Sequence, residues 1–315
     1  MQFKESQLHE INPTQVRFIK LGEGGEWEAS SIEEGVIRLG YHSPHHQDSL
    51  DGNWYAVRQF WFNVRKGNEA TTSSSVNQIR AFYELDEHCL WITFYKKRLY
   101  WCFAETKVVE LSDQSRIRDV IGQWSSCDIH GKPLRVENID GRVTKVQGYR
   151  GTICTVEMQD YLIRKINGHT IDEVQTAKDS LQRLRGEVEE LIKGLWWHDF
   201  ELLIDLIFSK SGWQRFSVLG KTEKDIDLDV YSPATQKRAF VQIKSSTSKT
   251  DFEIYLKSYD EYEQFDEMYF IYHTCREDLA STLGERKDIH LWDLSRIARL
   301  VVNSGLVEWL INKRS

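Results

Sequence analysis

The stretch that most constrains the fold is residues 224–246, which read KDIDLDVYSPATQKRAFVQIKSS. Side chains alternate along a strand, so Asp227 and Asp229 share one face of the first run and leave its apolar residues on the other. In the second run, Gln242 and Lys244 likewise share a face. A short turn joins the two runs and predicts an antiparallel hairpin. Such a hairpin brings Asp227 beside Gln242 and Lys244.

The segments around this hairpin alternate between helical and strand patterns. Helices are predicted in WWHDFELLIDLIFSKSGW, with Gly212 at the C-terminal stop, and in FEIYLKSYDEYEQF. Strands are predicted in FSVLG before the hairpin and in MYFIYHT after it, and the chain closes with a short strand and an amphipathic helix. This order predicts an α/β domain over residues 195–315, with a mixed sheet flanked by helices.

A long helical pattern precedes this domain. Its apolar positions step by three and four residues from Val174 to Leu191, the spacing of a seam between helices. Residues 169–194 are therefore predicted to form a linker helix between domains. The seam is compatible with packing on the same chain or with a dimer contact.

The N-terminal part is predicted to be α+β, with a β-barrel-like sheet over residues 1–168. TQVRFIKLG and GVIRLGY alternate like strands, LWITFYKKRLYWCFAE predicts a hairpin, and GRVTKVQGYRGTICTVEM a further strand pair. Short helices are expected at SSIEEGVI and SDQSRIRDVIGQW. The length of 315 residues favours two domains.

The hairpin residues suit the hydrolysis of a phosphodiester, whose negative charge repels nucleophiles. Mg²⁺, with Mn²⁺ as a substitute, prefers hard oxygen ligands and takes few protein carboxylates. Asp227, the Gln242 side chain and the backbone carbonyl of Ile243 are the candidate metal ligands. Lys244 would orient the attacking water and stabilise charge on phosphorus. Glu201, at the edge of the buried stripe of the first helix, is the candidate for a second acidic ligand.

The runs FELLIDLIFSKSGW, KDIDLDV and VQIKSS together resemble the PD-(D/E)XK nuclease superfamily, in particular its Mrr-like restriction endonucleases. That branch has a glutamate in the first helix, a GW or GY step, an aspartate opening the second strand and (E/Q)xK on the third. In this sequence the pattern falls on Glu201, Gly212–Trp213, Asp227, and Gln242 with Lys244. The resemblance implies a restriction-endonuclease-like fold and metal-dependent cleavage of DNA.

Two departures from the family pattern bear on the site. Glu223, Lys224 and Asp225 stand where glycines often precede the aspartate, so Asp225 competes with Asp227 for the metal, although strand phase favours Asp227. Gln242 replaces the commoner glutamate and removes one negative charge. With one negative charge fewer at the site, the Glu201 carboxylate becomes more important as a metal ligand.

The N-terminal segments IKLGEGGEW, IRLGY and LWITFYKKRLYWCF resemble PUA-superfamily readers of the EVE or YTH kind. That resemblance implies a pocket in which a flipped, modified base lies between aromatic walls. The aromatic candidates are Trp27, Trp54 and Trp101, each of which also suits a core position. The candidates for contacts to backbone phosphates are Arg142, Lys145, Arg150, Arg164 and Lys165.

These patterns predict a Mg²⁺-dependent DNA endonuclease resembling type IV, modification-dependent restriction systems of antiviral defence. Two cuts across a duplex need two active sites, so a homodimer is expected during cleavage. Two alternatives remain: an inactive reader of modified nucleic acid, and a nuclease that acts on RNA or branched DNA.

The composition of the chain bears on its cellular location and on how it binds nucleic acid. The polar N-terminus, the absence of a long apolar run and five scattered cysteines predict a cytoplasmic protein without a membrane partner. The net charge of −7 argues against nonspecific coating of nucleic acid.

Overall fold

A computed structural model of the chain describes residues 9–216 and 226–315. The chain divides into two compact units, Met1–Ile171 and Asp172–Ser315. None of the helices in the described residues has both the length and the apolar character needed to cross a bilayer.

The first unit combines a sheet with several helices. Its elements in chain order are β1 (Gln15–Ile19), α1 (Glu28–Glu34), β2 (Val36–Leu39), α2 (His46–Leu50), α3 (Trp54–Val64), α4 (Glu69–Glu84), β3 (Cys89–Tyr95), β4 (Arg98–Ala104), β5 (Val109–Glu110), β6 (Arg116–Ser125), α5 (Gly141–Thr144), β7 (Ile153–Thr155) and α6 (Gln159–Ile166).

The sheet of the first unit is open. Its strand order is β2-β6-β4-β3-β1-β7, with β5 paired to β6, and within the described residues its end strands β2 and β7 do not pair. The strands β1 and β3 run parallel, whereas the other pairs are antiparallel. The sheet therefore does not close into the barrel that the sequence suggested. Apolar side chains on its two faces form two separate clusters.

The hairpin predicted in LWITFYKKRLYWCFAE is present as β3 and β4. Its turn residues Lys96 and Lys97 both have positive φ, at 46° and 59°. Two-residue hairpin turns favour this left-handed conformation because its twist matches that of the flanking strands. The helix expected at SSIEEGVI is also present, as α1.

Two local expectations for the first unit were wrong, and two of its helices were missed. The segment SDQSRIRDVIGQW contains the strand β6, in which Arg116, Arg118 and Val120 alternate with more exposed residues. Of the strand pair expected in GRVTKVQGYRGTICTVEM, only β7 is a strand, since residues 141–148 are helical. The long helices α3 and α4 were not predicted. The Ser- and Thr-rich sequence of α4 has weak helix propensity, and its fold depends on packing and on the cap from Asn68.

The second unit has the mixed architecture that the sequence predicted. Its elements are α7 (Asp172–Lys193), α8 (Trp197–Lys210), β8 (Gln214–Arg215), β9 (Leu228–Ser232), β10 (Lys237–Ser246), α9 (Lys249–Glu261), β11 (Glu267–Thr274), β12 (Ile289–Trp292), α10 (Leu294–Asn303) and α11 (Val307–Arg314). The strand predicted in FSVLG lies, after Phe216, outside the described residues.

The sheet of the second unit has the order β12-β11-β10-β9-β8. The strand β10 is parallel to β11 and antiparallel to β9. Val241 and Ile243 of β10 pack in a core shared with α7, α8, α10 and α11, whereas Phe240 packs on the opposite face with Phe252 of α9. This alternation of β10 between two apolar layers fixes the register of the central strand.

The helix predicted as a linker, residues 169–194, is α7, and it packs in the second unit. Val188 and Ile192 near its C-terminal end are buried in the core of that unit. Val174, Leu181 and Leu184 of the same apolar stripe are exposed, by 44%, 38% and 38%. The stripe is therefore buried only in its C-terminal part.

Candidate active site

The hairpin of β9 and β10 positions the first acidic residue of the site. The register pairs Leu228 with Val241, so Asp227, just before β9, lies beside the next residues of β10. Its carboxylate accepts hydrogen bonds from Gln242 Nε2 at 2.5 Å and from the backbone N–H of Ile243 at 2.7 Å. The structure thus brings Asp227 and Gln242 together, as the strand alternation predicted.

A cavity of about 340 Å³ opens beside this carboxylate. It is lined by Trp197, Phe200, Glu201, Asp227, Ile243, Lys244 and Ser245. The helix α8 and the strand β10 therefore deliver Glu201 and Lys244 to the same cavity as Asp227. Gln242 lies beneath them, with 1% of its surface exposed.

Glu201 reaches the cavity because α8 is amphipathic. Phe200, Leu203 and Ile204 are buried against the sheet, and Glu201 lies at the edge of that stripe. Its carboxylate Oε2 is 3.6 Å from His198 Nδ1, one helical turn earlier. The helix thus holds an acid over the end of the β9–β10 pair.

Burial dominates the electrostatics of Asp227. It raises the pKa of the carboxyl above its ordinary value, and the neighbouring charge of Glu201 raises it further. The hydrogen bond from Ile243 and the ammonium of Lys244 lower the pKa and offset part of this shift. The ionised carboxylate is therefore incompletely compensated by its protein neighbours.

Gln242 is also incompletely satisfied. Its amide nitrogen donates to Asp227, while its buried oxygen Oε1 has no hydrogen-bond partner among the described residues. A buried acceptor without a partner is costly, and such groups mark strained or ligand-binding sites. Rotation of the amide by half a turn would put Oε1 next to the Asp227 carboxylate, an arrangement that a cation between the two oxygens would stabilise.

This donor set fits Mg²⁺ better than a transition metal. The described residues contain no cluster of three or more His, Cys, Asp or Glu side chains placed to hold a metal. Two carboxylates with amide and carbonyl oxygens are hard ligands, and Mg²⁺ commonly takes one or two carboxylates and keeps several waters.

Asp229, the other described acid of the hairpin, does not line the cavity. Asp229 Oδ1 accepts a hydrogen bond from Arg238 Nε at 2.8 Å, and the two side chains form an ion pair. Asp225, the alternative metal ligand, lies outside the described residues. Among the described acids of this strand, Asp227 is the one that lines the cavity.

Residues 192–301 match the restriction endonuclease family Mrr_cat. The match spans α8, both strands of the hairpin and β11, and it confirms the predicted resemblance of the C-terminal unit. One solved structure, titled DNA modification-dependent restriction endonuclease AspBHI, aligns with 71% of this chain and 68% of its own. The identity is 10% and the TM-score 0.31. A comparison with curated proteins gave no match.

The tryptophans predicted to bind a base lie outside the Mrr_cat match, and the structure does not bring all three together. Trp27 and Trp54 pack at the margin of one apolar cluster and Trp101 at the margin of the other. The indole N–H groups of Trp54 and Trp101 are already bonded, to Glu84 Oε1 and to the carbonyl of Cys127. The PUA-like assignment of the first unit remains a prediction.

The basic candidates of the first unit are on the surface. Arg142 forms a two-point contact with Asp140, and Lys145 donates to Glu157 at 2.6 Å. Arg150 is exposed. A phosphate would have to compete with a local carboxylate at Arg142 and Lys145.

Sequence reasoning missed three residues that line the cavity of the Mrr_cat domain. Trp197, Phe200 and Ser245 were not proposed as site residues, although Phe200 was recognised as buried. The signal for Trp197 was available: two adjacent tryptophans stand at the start of α8, where a polar capping residue is usual.

Proposed function

We propose that the protein is a metal-dependent DNA endonuclease whose Mrr_cat domain hydrolyses phosphodiester bonds. The observation that carries this proposal is the common cavity of Asp227, Glu201 and Lys244 beside buried Gln242, whose oxygen has no partner within residues 9–216 and 226–315. The Mrr_cat match over residues 192–301 supports a nuclease of the restriction type.

The ligands proposed for Mg²⁺, or Mn²⁺ in its place, are Asp227, Gln242 Oε1, the carbonyl of Ile243 and Glu201. The bound ion would supply Lewis-acid chemistry, offsetting phosphate charge and lowering the pKa of a bound water. Asp227 is suited to this role because its ionised form lacks sufficient compensation within the protein. Gln242 is suited because its oxygen has no other partner in the described part of the chain.

Lys244 is proposed to orient the attacking water and to stabilise negative charge on the phosphate. Its Nζ lies 4.7 Å from the centre of the Tyr255 ring, on α9. A cation over an aromatic face is held in place without a competing carboxylate bond. The ammonium therefore keeps donors for a water or a phosphate oxygen.

The first unit is proposed to select the DNA, with a modified base as the recognised feature, as in type IV restriction. Trp27, Trp54, Trp101, Arg142, Lys145 and Arg150 remain the candidate contacts. A homodimer during double-strand cleavage is supported by the exposed part of the α7 stripe, formed by Val174, Leu181 and Leu184.

The test is cleavage of a panel of nucleic acids with Mg²⁺ by the full chain. The panel contains plain duplex DNA, methylated, hydroxymethylated and glucosylated DNA, single strands and RNA. Asp227→Asn should abolish cutting, whereas the matched variant Asp229→Asn, two residues further along the same strand, should retain it once its folding is verified by circular dichroism.

Three outcomes would contradict parts of the proposal. Absence of cutting on every substrate would leave a binding protein with an inactive nuclease fold. A preference for RNA would exclude restriction but retain the nuclease. Equal cutting of plain and modified DNA would exclude modification dependence alone.

A further inference from the structure

Two adjacent tryptophans at the start of α8 are exposed. Trp196 is 61% and Trp197 50% exposed, and among the described residues they are the only exposed tryptophans. Their ring centres are 5.7 Å apart at an interplanar angle of 63°, and the His198 ring lies 4.5 Å from that of Trp196. These three side chains form an aromatic cluster, Trp196–His198, on the surface of the second unit.

The two tryptophans contribute neither a helix cap nor core packing to the fold of the second unit. Trp196 occupies the N-cap of α8 and makes no side-chain capping bond, although Ser, Thr, Asp or Asn is preferred there. Neither tryptophan belongs to the apolar core of the second unit or packs at its margin. A sequence that breaks a local rule without a gain in packing usually does so at a functional site.

The cluster adjoins the proposed active site. Trp197 lines the same cavity as Asp227 and Lys244, and His198 contacts Glu201 at 3.6 Å. A phosphodiester held in this cavity carries a nucleotide on each side. A base attached to one of these nucleotides would therefore lie beside Trp197, whose indole is covered on one side by the His198 ring and is half exposed.

We infer that Trp196 and Trp197 form a stacking platform for a nucleobase that flanks the cleaved phosphate. This inference rests on the proposed nuclease function and deepens it, because a base can stack on the platform only after leaving its own stack. The substrate at the cut is thus a locally unstacked or single-stranded nucleotide. Stacking also supplies affinity to a protein whose net charge is −7, since it does not depend on the release of counterions.

The test uses the full chain and a short duplex of the DNA that the wild type cleaves. A single abasic nucleotide is placed in turn at each position around the mapped cut, and binding is measured by anisotropy in EDTA. Wild-type binding should weaken roughly 5- to 100-fold at one abasic position. Trp197→Ala should bind the intact duplex more weakly by a similar factor, and the same abasic position should then cause little further loss.

Two variants control for indirect effects. Trp197→Phe keeps an aromatic face and should restore most of the affinity. Phe216→Ala removes another exposed aromatic side chain of the same unit, which does not line the cavity, and should leave binding unchanged.

The inference is overturned if the Trp196→Ala, Trp197→Ala double variant binds the intact duplex as tightly as the wild type, or if it remains equally sensitive to the abasic position. Because wild-type cleavage is measured separately, these results leave the nuclease proposal standing. If the wild type cuts no member of the panel, the nuclease proposal fails and this inference fails with it.

Discussion

Each unit of this protein buries polar side chains, but the two treat them differently. In the first unit, Arg118 is fully buried, and its guanidinium donates to the backbone carbonyls of Phe82, Ala104 and Glu105. Arg116, 2% exposed, reaches several carbonyls and Glu110, and only its Nε lacks a partner. These charges hold strands and loops of one unit together.

In the second unit, Asp227 and Gln242 are buried with incomplete hydrogen bonding or charge compensation. Asp227 has a pKa raised by burial, and the buried oxygen of Gln242 has no partner among the residues that the structure describes. The removal of a hydrogen-bonded buried group leaves its partners unsatisfied and destabilises the fold, whereas a buried polar group without a partner is costly unless a ligand completes it. The comparison predicts that changes at Arg118 act on stability and changes at Lys244, Gln242 and Asp227 act mainly on metal binding and cleavage.

After the loss of cutting expected for Asp227→Asn, the largest expected effect is that of Lys244→Ala on cleavage. Loss of the ammonium should reduce the rate about 10²- to 10⁴-fold, the usual range for a group that moves a proton or stabilises charge. Single-turnover cleavage with Mg²⁺ measures it. Lys237→Ala, on the same strand but exposed and paired with Glu267, should cut normally. Equal cleavage rates for Lys244→Ala and Lys237→Ala would show that Lys244 has no role in catalysis.

The next effect in size is that of Arg118→Met on stability. The substitution removes the guanidinium donors of three carbonyls, two of them in buried hydrogen bonds, at about 1–3 kcal/mol for each buried one, so a loss of at least about 2 kcal/mol is expected. Calorimetry of the full chain should show a lower transition temperature for the first unit and an unchanged transition for the second. The exposed Arg98→Met is the matched control. A melt identical to the wild type would contradict a structural role for Arg118.

The next prediction concerns Gln242→Glu, which should change the affinity of the second unit for Mg²⁺. A third carboxylate should tighten Mg²⁺ binding about tenfold, because ligand charge tunes affinity for hard cations. Without metal, the new charge beside Asp227 should lower thermal stability. Titration calorimetry and thermal melts measure the two effects, and Gln214→Glu, exposed in the same unit, should change neither. Weaker metal binding in Gln242→Glu would argue against Gln242 as a ligand.

The smallest expected effect is a gain in stability from Asp227→Asn without metal. Because the folded state raises the pKa of Asp227, the ionised carboxylate destabilises the wild type at neutral pH. The penalty is absent below the unfolded pKa of about 3.9. The penalty grows as the pH rises from the unfolded pKa to the higher pKa of Asp227 in the folded state, and it is constant above that folded-state pKa.

Melting temperatures measured across this pH range should therefore be equal for wild type and Asp227→Asn in acid and a few degrees higher for the variant near pH 7. Mg²⁺ should raise the melting temperature of the wild type and leave that of the variant unchanged. An Asp227→Asn variant that is less stable than the wild type at pH 7 would contradict the conclusion that the ionised Asp227 carboxylate destabilises the folded protein.

Local periodicity explains which parts could be predicted. The alternation in IDLDV and AFVQIKSS specified two strands, and a short turn required their antiparallel pairing, so the proximity of Asp227 and Gln242 followed from sequence. The hairpin β3–β4 followed in the same way. By contrast, β6 was mistaken for a helix, because its buried arginines broke the expected polar and apolar alternation.

The sequence by itself determined the hairpin β9–β10 with the side chains that meet across it, the strands β11 and β12, and the buried stripe of α8, because these depend on contacts within a few residues. Only the tertiary structure decided that Glu201 and Trp197 of α8 face the same cavity as Lys244 and that Asp229 is neutralised by Arg238. It also decided that the buried oxygen of Gln242 has no partner among the described residues. The burial of a polar atom and its partners depend on distant segments packing together, which no local pattern encodes.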